Sequence, residues 1–276
     1  MTGKVPGDIT HRMMNDSVVP SSGISEARFI GMGGLPEVTR GSDLAEMILT
    51  ASVGQGTPLE RGDIVVVTQK IVSKAEGRTV GLAVIKPSAF ARQFAHRAGR
   101  DPRLIELVLR ESVGIVRQDP DRGILITETP QGFVCANSGI DSSNVVGDNT
   151  VTLLPEDPDG SARELMERFR SGTGLKELAV IVTDTFGRAW REGHVNFAIG
   201  VAGMDPFMDY RGEPDTQLKM MSATRIAVAD EVAAASELVM GKVDQIPVAI
   251  ARGVRYVPGD GSAREMVRER ANDLFR

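Results

Sequence analysis

The sequence has few of the features that mark secreted, membrane-spanning or nucleic-acid-binding proteins. Cys135 is the single cysteine, which excludes an internal disulfide and a cysteine-built zinc site and favours a reducing, cytoplasmic compartment. No apolar run approaches the roughly 18–20 residues of a membrane helix. The formal net charge is -5 and no basic tract is present, so the sequence predicts neither a nucleic-acid partner nor membrane association.

Several common catalytic motifs are also absent. The sequence contains no GxxxxGK[ST] phosphate loop, no GxGxxG dinucleotide turn, no GxSxG nucleophile elbow and no HExxH zinc pair. The three histidines, His11, His96 and His194, are scattered along the chain. These absences argue against a P-loop nucleotidase, a nicotinamide-dependent dehydrogenase and a serine–histidine hydrolase.

The chain is long enough for a substantial core. It has 276 residues, of which 41% are hydrophobic, enough for one large domain or two small lobes. Residues 1–27 are rich in glycine, proline and serine and predict a mobile N-terminal tail. Residues 28–276 form the predicted folded domain.

Strand and helix patterns are mixed along this domain and predict an α+β (mixed α/β) fold, with mixed, partly antiparallel sheets and flanking helices. The patterns indicate a helix capped by Ser42 or Asp43 and a buried strand over Ile64–Val67. They also predict helical segments interrupted near Gly99–Pro102 and a hairpin that turns at 130–132.

Further elements are predicted in the second half of the chain. They are a helix with Ser161 as its N-cap, a short buried strand that ends in Thr183–Thr185, a strand over 218–229, a helix that ends at Gly241, and a C-terminal amphipathic helix over 261–275.

Polar side chains follow two of the predicted strands. Asp184 and Thr185 follow the buried residues Ile181 and Val182, and a loop with five oxygen-bearing side chains follows the strand that contains Cys135. The five are Asn137, Asp141, Ser142, Ser143 and Asn144. Carboxylate and hydroxyl oxygens suit a hard cation such as Mg²⁺, so one carboxylate from each segment would share a metal. A turn-forming aspartate and a solvated loop are the alternatives.

Positive charges lie near the same segments. Lys70 and Lys74 follow the first buried strand, and Arg188 and Arg191 follow Asp184, where they would bind phosphate or carboxylate groups. Exposed surface side chains are the alternative interpretation. Asp230 and Glu231 stand at a predicted helix N-terminus, where the helix dipole accounts for them.

Long motifs carry a resemblance to a known family. GLPEVTRGSDLAEMI, GDIVVVTQKIVSKAEGR, GFVCANSGIDSSNV, VTDTFGRAWREGHVNFAIGVAG and TRIAVADEVAAASELVMGK occur in this order. From about Arg28 to Arg276 the sequence resembles the coenzyme F420:L-glutamate ligases, also called F420-0 gamma-glutamyl ligases. The resemblance implies an enzyme that uses GTP to join L-glutamate to a carboxylate of a deazaflavin precursor and that can add further gamma-linked glutamates. It also implies two divalent ions, Mg²⁺ or Mn²⁺, together with K⁺ and an intertwined homodimer.

The resemblance assigns roles to particular residues. It implies that Asp141 and Asp184 bind one divalent metal and that Thr185 binds a second. The candidate catalytic cations are Lys74, which the resemblance places at the nucleotide, and Arg188 and Arg191, which their positions after Asp184 suggest. The implied nucleotide contacts are Leu35, Pro36, Glu37, Val38, Gln69, Lys74, Asn144, Met240, Gly241, Lys242, Val243, Asp244, Gln245 and Ile246.

Two departures from the family pattern leave alternatives open. Lys242 stands where some relatives have an oxygen-bearing side chain for the second metal, and a protonated lysine cannot be a ligand. Either backbone or substrate oxygens complete that site, or Lys242 contacts phosphate. The presence of Lys242 also leaves open that the protein is a nucleotide-binding module without catalytic activity. The weaker match over 208–219 leaves open a variant deazaflavin or another carboxylate as the acceptor.

Overall fold

The computed structural model describes residues 25–141 and 149–275. This part of the chain has the predicted mixed α/β fold, with partly antiparallel sheets and helices beside them. The intertwined homodimer and the division into lobes stay predictions. The helices are α1 (Leu44–Gly54), α2 (Gln69–Ala75), α3 (Ala89–Ala98), α4 (Pro102–Arg110), α5 (Pro158–Thr173) and α6 (Val228–Met240).

Twelve strands form one larger sheet and three small ones within the described residues. They are β1 (Arg28–Met32), β2 (Ile64–Thr68), β3 (Thr79–Gly81), β4 (Gly114–Asp119), β5 (Ile124–Glu128), β6 (Val134–Ala136), β7 (Thr150–Thr152), β8 (Ala179–Arg188), β9 (Arg191–Ala202), β10 (Met208–Asp209), β11 (Arg225–Ile226) and β12 (Val248–Arg252).

The larger sheet has five strands in the order β1-β12-β2-β8-β9. Strands β2 and β8 pair in parallel, and the other neighbours are antiparallel. The sequence IVVVT of β2 is apolar and β-branched, which suits a strand with both faces covered. Its side chains alternate between two cores: Val65 and Val67 face the core of α1 and α5, whereas Ile64 and Val66 face the core of α6.

A separate apolar cluster lies under α3 and α4. Phe94 and Ile105 from these helices pack against Leu125 of β5. Strand β5 is the middle strand of the sheet β4-β5-β6, and the predicted hairpin with its turn at 130–132 is confirmed. The break between the helices is also confirmed, because Gly99 adopts a left-handed conformation and Asp101 caps α4.

The predicted cap of α1 is confirmed: Asp43 accepts a hydrogen bond from the backbone N–H of Glu46. The N-cap prediction for α5 is wrong. This helix begins at Pro158 with Asp157 as its N-cap, so Ser161 lies inside it. A proline fits the first helical position because its fixed φ suits a helix and it has no N–H that would need a partner. The glycine end is confirmed at Gly174.

Two predictions near the C-terminus are wrong. The predicted strand over 218–229 reduces to Arg225–Ile226, which pairs with Met208–Asp209, and the next residues start α6. The predicted C-terminal helix is replaced by two short 3₁₀ turns, over 263–266 and 270–272. Ala263 and Met266 contact the α6 core, but Leu274 is 88% exposed, so no continuous apolar stripe supports a longer helix.

Candidate functional site

The strand register brings four of the predicted binding segments to one edge of the central sheet. Met32 at the end of β1 pairs with Val248, which in turn pairs with Val67 near the end of β2. Thr68 then pairs with Thr183 of β8. The segments 33–38, 69–74, 184–185 and 240–247 therefore meet at this edge, although they are distant in sequence.

Asp184 lies inside β8, not at its end, so that part of the prediction is wrong. The strand continues to Arg188, because β9 extends beyond the rest of the sheet and supplies hydrogen-bonding partners. Strand β2 ends at Thr68, opposite Thr183. From Asp184 onward, β9 is the only strand in the described residues that pairs with β8, which leaves the other side of Asp184 open to side chains.

Asp184 and Asp141 come close enough to influence each other within one chain. Burial raises the pKa of the Asp184 carboxyl to about 7; the hydrogen bond from the Thr185 backbone opposes this, the charge of Asp141 adds to it, and Lys242 and Lys70 oppose it. Asp141 pairs with Thr152 through backbone hydrogen bonds, and its Oδ2 lies 2.8 Å from Lys70 Nζ. Together Asp141, Asp184 and Lys70 form the front cluster.

The donor set of the front cluster fits one hard divalent cation. The charge of Asp141 raises the pKa of Asp184, and a cation between two carboxylates offsets such repulsion. Within residues 25–141 and 149–275, no group of three or more histidine, cysteine, aspartate or glutamate side chains is placed to hold a metal.

A second set of side chains lies on the opposite face of β8, because successive residues of a strand point to opposite faces. Lys242 Nζ donates to Thr185 Oγ1 at 2.5 Å, and that hydroxyl donates to Asn196 Oδ1 at 2.6 Å. Asn196 Nδ2 donates to Glu237 Oε2 at 2.8 Å, and Lys242 Nζ lies 3.1 Å from Glu237 Oε1. These four residues form a closed ring, which we call the rear ring.

The sequence did not indicate Asn196 or Glu237 as site residues. Asn196 is buried opposite Thr185 on β9, and Glu237 lies one turn before the end of α6. Neither has a local motif of its own. The signal that would have found Asn196 is the strand register, which pairs it with the predicted metal ligand Thr185.

The predicted nucleotide contacts lie around the same edge but differ in accessibility. Lys74 Nζ is held 2.6 Å from Glu37 Oε1, between α2 and the loop after β1. Leu35 is partly buried, and Pro36 is exposed. Gln69 is buried, and its Oε1 accepts a hydrogen bond from the Ser73 hydroxyl.

The other predicted nucleotide contacts are on either side of Gly241. Met240 is buried at the end of α6, Val243 is 85% exposed, and Val38 is buried in the first core. Lys242, Asp244 and Gln245 lie on the exposed loop that leads to Ile246 and β12. Asn144, with Ser142 and Ser143, lies outside the described residues.

The two predicted arginines lie away from the front cluster. Arg188 pairs with Arg191 where β8 and β9 meet, four residues or about 13 Å along the strand from Asp184. Arg188 Nη2 donates to the carbonyl of Glu192 at 2.8 Å. The predicted position of Asp230 in the first turn of α6 is confirmed, but its carboxylate accepts a hydrogen bond from the Ala198 backbone and so joins α6 to β9.

A cavity of about 340 Å³ lies along β9, the edge strand. Its lining includes Phe133, Phe186, Phe197, Asp230, Met266 and Phe275. The rings of Phe186 and Phe197 stack with centroids 6.0 Å apart. Phe197 opposes Asp184 in the strand register, so both side chains belong to the same face of the strand pair. The cavity is therefore next to the front cluster.

Cys135 is buried close enough to Asp184 for that charge to act on it, and it is unsuited to nucleophilic chemistry. Burial, with a further contribution from the charge of Asp184, raises the pKa of this thiol to about 12. A thiol with such a pKa is almost entirely protonated at neutral pH. The chemistry of this site therefore rests on carboxylates, ammonium groups and backbone.

Among the described residues, no helix combines the length and apolar character needed to cross a bilayer.

A family model described as F420-0:Gamma-glutamyl ligase matches residues 34–253. The coenzyme F420:L-glutamate ligase of Methanothermobacter thermautotrophicus is 47% identical over 250 residues, which cover 90% of this chain and 98% of that protein. The enzyme of the same name from Methanopyrus kandleri is 42% identical over 261 residues, covering 89% of this chain and 100% of that protein. The one from Archaeoglobus fulgidus is 40% identical over 244 residues, covering 88% and 94%.

Proposed function

Because the chain belongs to the F420-0 gamma-glutamyl ligase family, we propose that it is a GTP-dependent ligase that joins L-glutamate to a carboxylate of a coenzyme F420 precursor. Amide formation by a ligase of coenzyme F420 biosynthesis is the activity of the family. The finer statements, which are the use of GTP, an acyl phosphate and a divalent cation, are our proposal.

The observation that carries the proposal is the meeting of Asp141 and Asp184 at the sheet edge that also gathers the predicted nucleotide segments. Transfer of a phosphoryl group requires positioning and positive charge more than a covalent nucleophile. The edge supplies carboxylates for a cation, two lysines and the loops after β1 and before β12. A structural role alone does not require two acids with adverse mutual charge at this place.

Asp141 and Asp184 would hold Mg²⁺ or Mn²⁺. When bound, the ion supplies positive charge that offsets the negative charge of the triphosphate. The resemblance also implies K⁺, for which the described residues suggest no particular place. Both carboxylates must be ionised to bind a cation well, and Lys70 favours the ionised form by its charge.

Lys70 and Lys74 would hold the phosphates by their charge. Their side chains are only 21% and 12% exposed, and each is oriented by a carboxylate, Asp141 and Glu37 respectively. Such preorganised ammonium groups lose little conformational entropy when an anion arrives. Glu37 is 62% exposed, so it can move aside when a phosphate replaces it.

The proposed chemistry has two steps. A carboxylate oxygen of the acceptor attacks the terminal phosphorus of GTP, the bond to the bridging oxygen breaks, and GDP leaves with the formation of an acyl phosphate. The amine of L-glutamate then attacks the carbonyl carbon, the C–N bond forms, the C–O bond breaks, inorganic phosphate leaves and the amine releases a proton to solvent. Activation is needed because a free carboxylate is a poor acyl donor.

The aromatic cavity along β9 is our candidate for the flat ring of the acceptor. Its volume of about 340 Å³ falls within the range of small-molecule sites. Phe133, Phe186 and Phe197 offer faces for stacking, and Asp230 offers a polar group at the wall. A ring bound there would place its side-chain carboxylate toward the front cluster.

The proposal is tested with the full chain, GTP, L-glutamate, a deazaflavin precursor and Mn²⁺. We expect GDP release only when all components are present, and a product heavier by one glutamyl unit in mass spectrometry. ATP in place of GTP tests the choice of nucleotide. GDP release without any mass gain of the acceptor would contradict the ligase assignment for this acceptor, and repetition with other carboxylates would then identify the true one.

We further propose a homodimer, as the resemblance implies, and a location in the cytoplasm, which the single cysteine favours. Light scattering on the purified chain measures the mass in solution, and a monomer at micromolar concentration would contradict the dimer.

A further inference from the structure

The rear ring leaves no place for a cation at Thr185. The hydroxyl of Thr185 donates its one proton to Asn196 Oδ1 and accepts a hydrogen bond from Lys242 Nζ at 2.5 Å. A metal bound to this oxygen would have to displace Lys242, because two cations cannot share that position. The donor set on this face of β8 therefore does not fit a second divalent ion.

The charges of the rear ring lead to the same conclusion. It contains one carboxylate, Glu237, and one ammonium group, Lys242, which lie 3.1 Å apart and balance each other. The front cluster contains two carboxylates and one ammonium group, Asp141, Asp184 and Lys70. Only the front cluster has an excess of negative charge that a divalent cation would neutralise.

The ring is anchored more firmly than an ordinary surface ion pair. The Lys242 side chain is 61% exposed, and an exposed pair with Glu237 alone would contribute little. Asn196, however, is buried, and it joins Thr185 on β8 to Glu237 on α6. Lys242 therefore has a fixed acceptor on each side, and part of its ammonium group faces solvent at the sheet edge.

The chain geometry at the end of α6 directs Lys242 to this place. Gly241 ends the helix with a φ of 60°, a backbone conformation that residues other than glycine rarely adopt. The backbone then turns back toward β8, so that the residue after the glycine reaches Thr185. The position of Lys242 thus follows from the helix end.

We propose that the ammonium group of Lys242 takes the place of a second divalent metal. Each active site would then bind one divalent metal ion. This inference rests on the proposed function, since the exposed side of the ammonium group would face the phosphates. Lys242 is then a positioning group for the triphosphate, with a fixed charge that needs no metal from solution.

The test counts Mn²⁺ ions bound to the full chain by electron paramagnetic resonance, with a non-hydrolysable GTP analogue present. We expect one tightly bound Mn²⁺ per chain for the wild type and two for Lys242→Gln, which removes the ammonium group and supplies an oxygen. Lys242→Arg keeps the charge and should bind one. Lys176→Gln, a matched change at an exposed lysine, should also bind one.

A second variant places each ion. Asp184→Asn should bind none, and the double variant Asp184→Asn, Lys242→Gln should bind one, in the rear ring. Two Mn²⁺ ions in the wild type, or still one in Lys242→Gln with an unchanged melting temperature, would overturn the inference. Absence of Mn²⁺ and of the GTP analogue from every variant would instead overturn the proposed function, so the two failures are distinguishable.

Discussion

Asp184 and Thr185 are neighbours in the chain, yet they belong to two sites with different electrostatics. Asp184 faces the front cluster, where burial and Asp141 raise its pKa to about 7. Thr185 faces the rear ring, where each polar group has a partner of opposite character. In the front cluster, burial and the like charge of Asp141 both disfavour the ionised form of Asp184. In the rear ring, every polar side chain has a hydrogen-bonding or charged partner.

This difference separates a cluster that requires a cation from solution from a ring that contains its own cation, Lys242. A polar network with every member bonded makes its neighbourhood rigid. A pair of acids with adverse mutual charge is instead disfavoured until a cation or a proton arrives. The same strand therefore has one face that lacks a balancing cation and one face that is already balanced, one residue apart.

The largest expected effect comes from the front cluster. Asp184→Asn keeps the shape of the side chain but removes a carboxylate. We therefore expect the rate of ligation to fall by roughly 1,000-fold, which corresponds to a loss of about 4 kcal/mol of transition-state stabilisation. Steady-state GDP release with the acceptor present measures it. Asp121→Asn, an exposed acid paired with Arg97, is the control and should retain full activity. Equal activity of the two variants would remove Asp184 from the catalytic site.

The pH dependence of stability sharpens the comparison. The folded-state pKa of Asp184 is raised from 3.8 to about 7, so the folded chain holds this proton more tightly than the unfolded chain. In metal-free protein the contribution of this protonated carboxyl to the free energy of unfolding is fully present below about pH 4 and is lost as pH rises through 7; the whole loss is on the order of 4 kcal/mol.

Urea unfolding with a chelator present, at several pH values, measures this loss. The free energy of unfolding of Asp184→Asn should lack this component, because the amide does not titrate. A difference between wild type and variant that does not change from pH 4 to pH 7 would show that Asp184 is not desolvated.

Disruption of the rear ring should reduce stability. Asn196→Ala removes a buried side chain and leaves Thr185 and Glu237 without their bridging partner, so we expect a loss of about 1–3 kcal/mol. Urea unfolding measures it, and Asn272→Ala, at an exposed position, should cost less than about 0.5 kcal/mol. If both variants unfold alike, the ring does not stabilise the fold.

The smallest expected effect is on the reactivity of Cys135, because the charge of Asp184 in the front cluster contributes to the pKa of its thiol. Burial and the Asp184 carboxylate hold the pKa of the thiol at about 12, so native protein should react with iodoacetamide far more slowly than urea-unfolded protein. Asp184→Asn removes the negative charge and lowers that pKa, which should speed labelling about two- to threefold at pH 8. An unchanged rate would place the carboxylate too far away to act on the thiol.

Local sequence patterns predicted much of this fold. The apolar run of β2, the cap at Asp43, the break at Gly99 and the end of α6 at Gly241 all depend on residues within one turn or one strand. The predictions that were wrong concern segments whose conformation depends on distant contacts. The C-terminal stretch has helical composition, but only Ala263 and Met266 find a core to pack against.

The site shows the same division. Sequence and resemblance singled out Asp141, Asp184 and Thr185 as residue types suited to a cation. Their placement came from the sheet, because Thr68 pairs with Thr183 on a strand far away in the chain and Asn196 pairs with Thr185 across the β8–β9 hairpin. Periodicity within one segment contains no information on such pairings.

The sequence by itself determined the fold class, several element ends and the kinds of chemical group available. Only the tertiary structure decided that Asp184 and Thr185 serve opposite faces, that Lys242 satisfies Thr185, and that Asn196 and Glu237 complete the ring. The physical reason is that propensity and capping act over a few residues, whereas charge balance depends on groups that meet only when the sheet has formed.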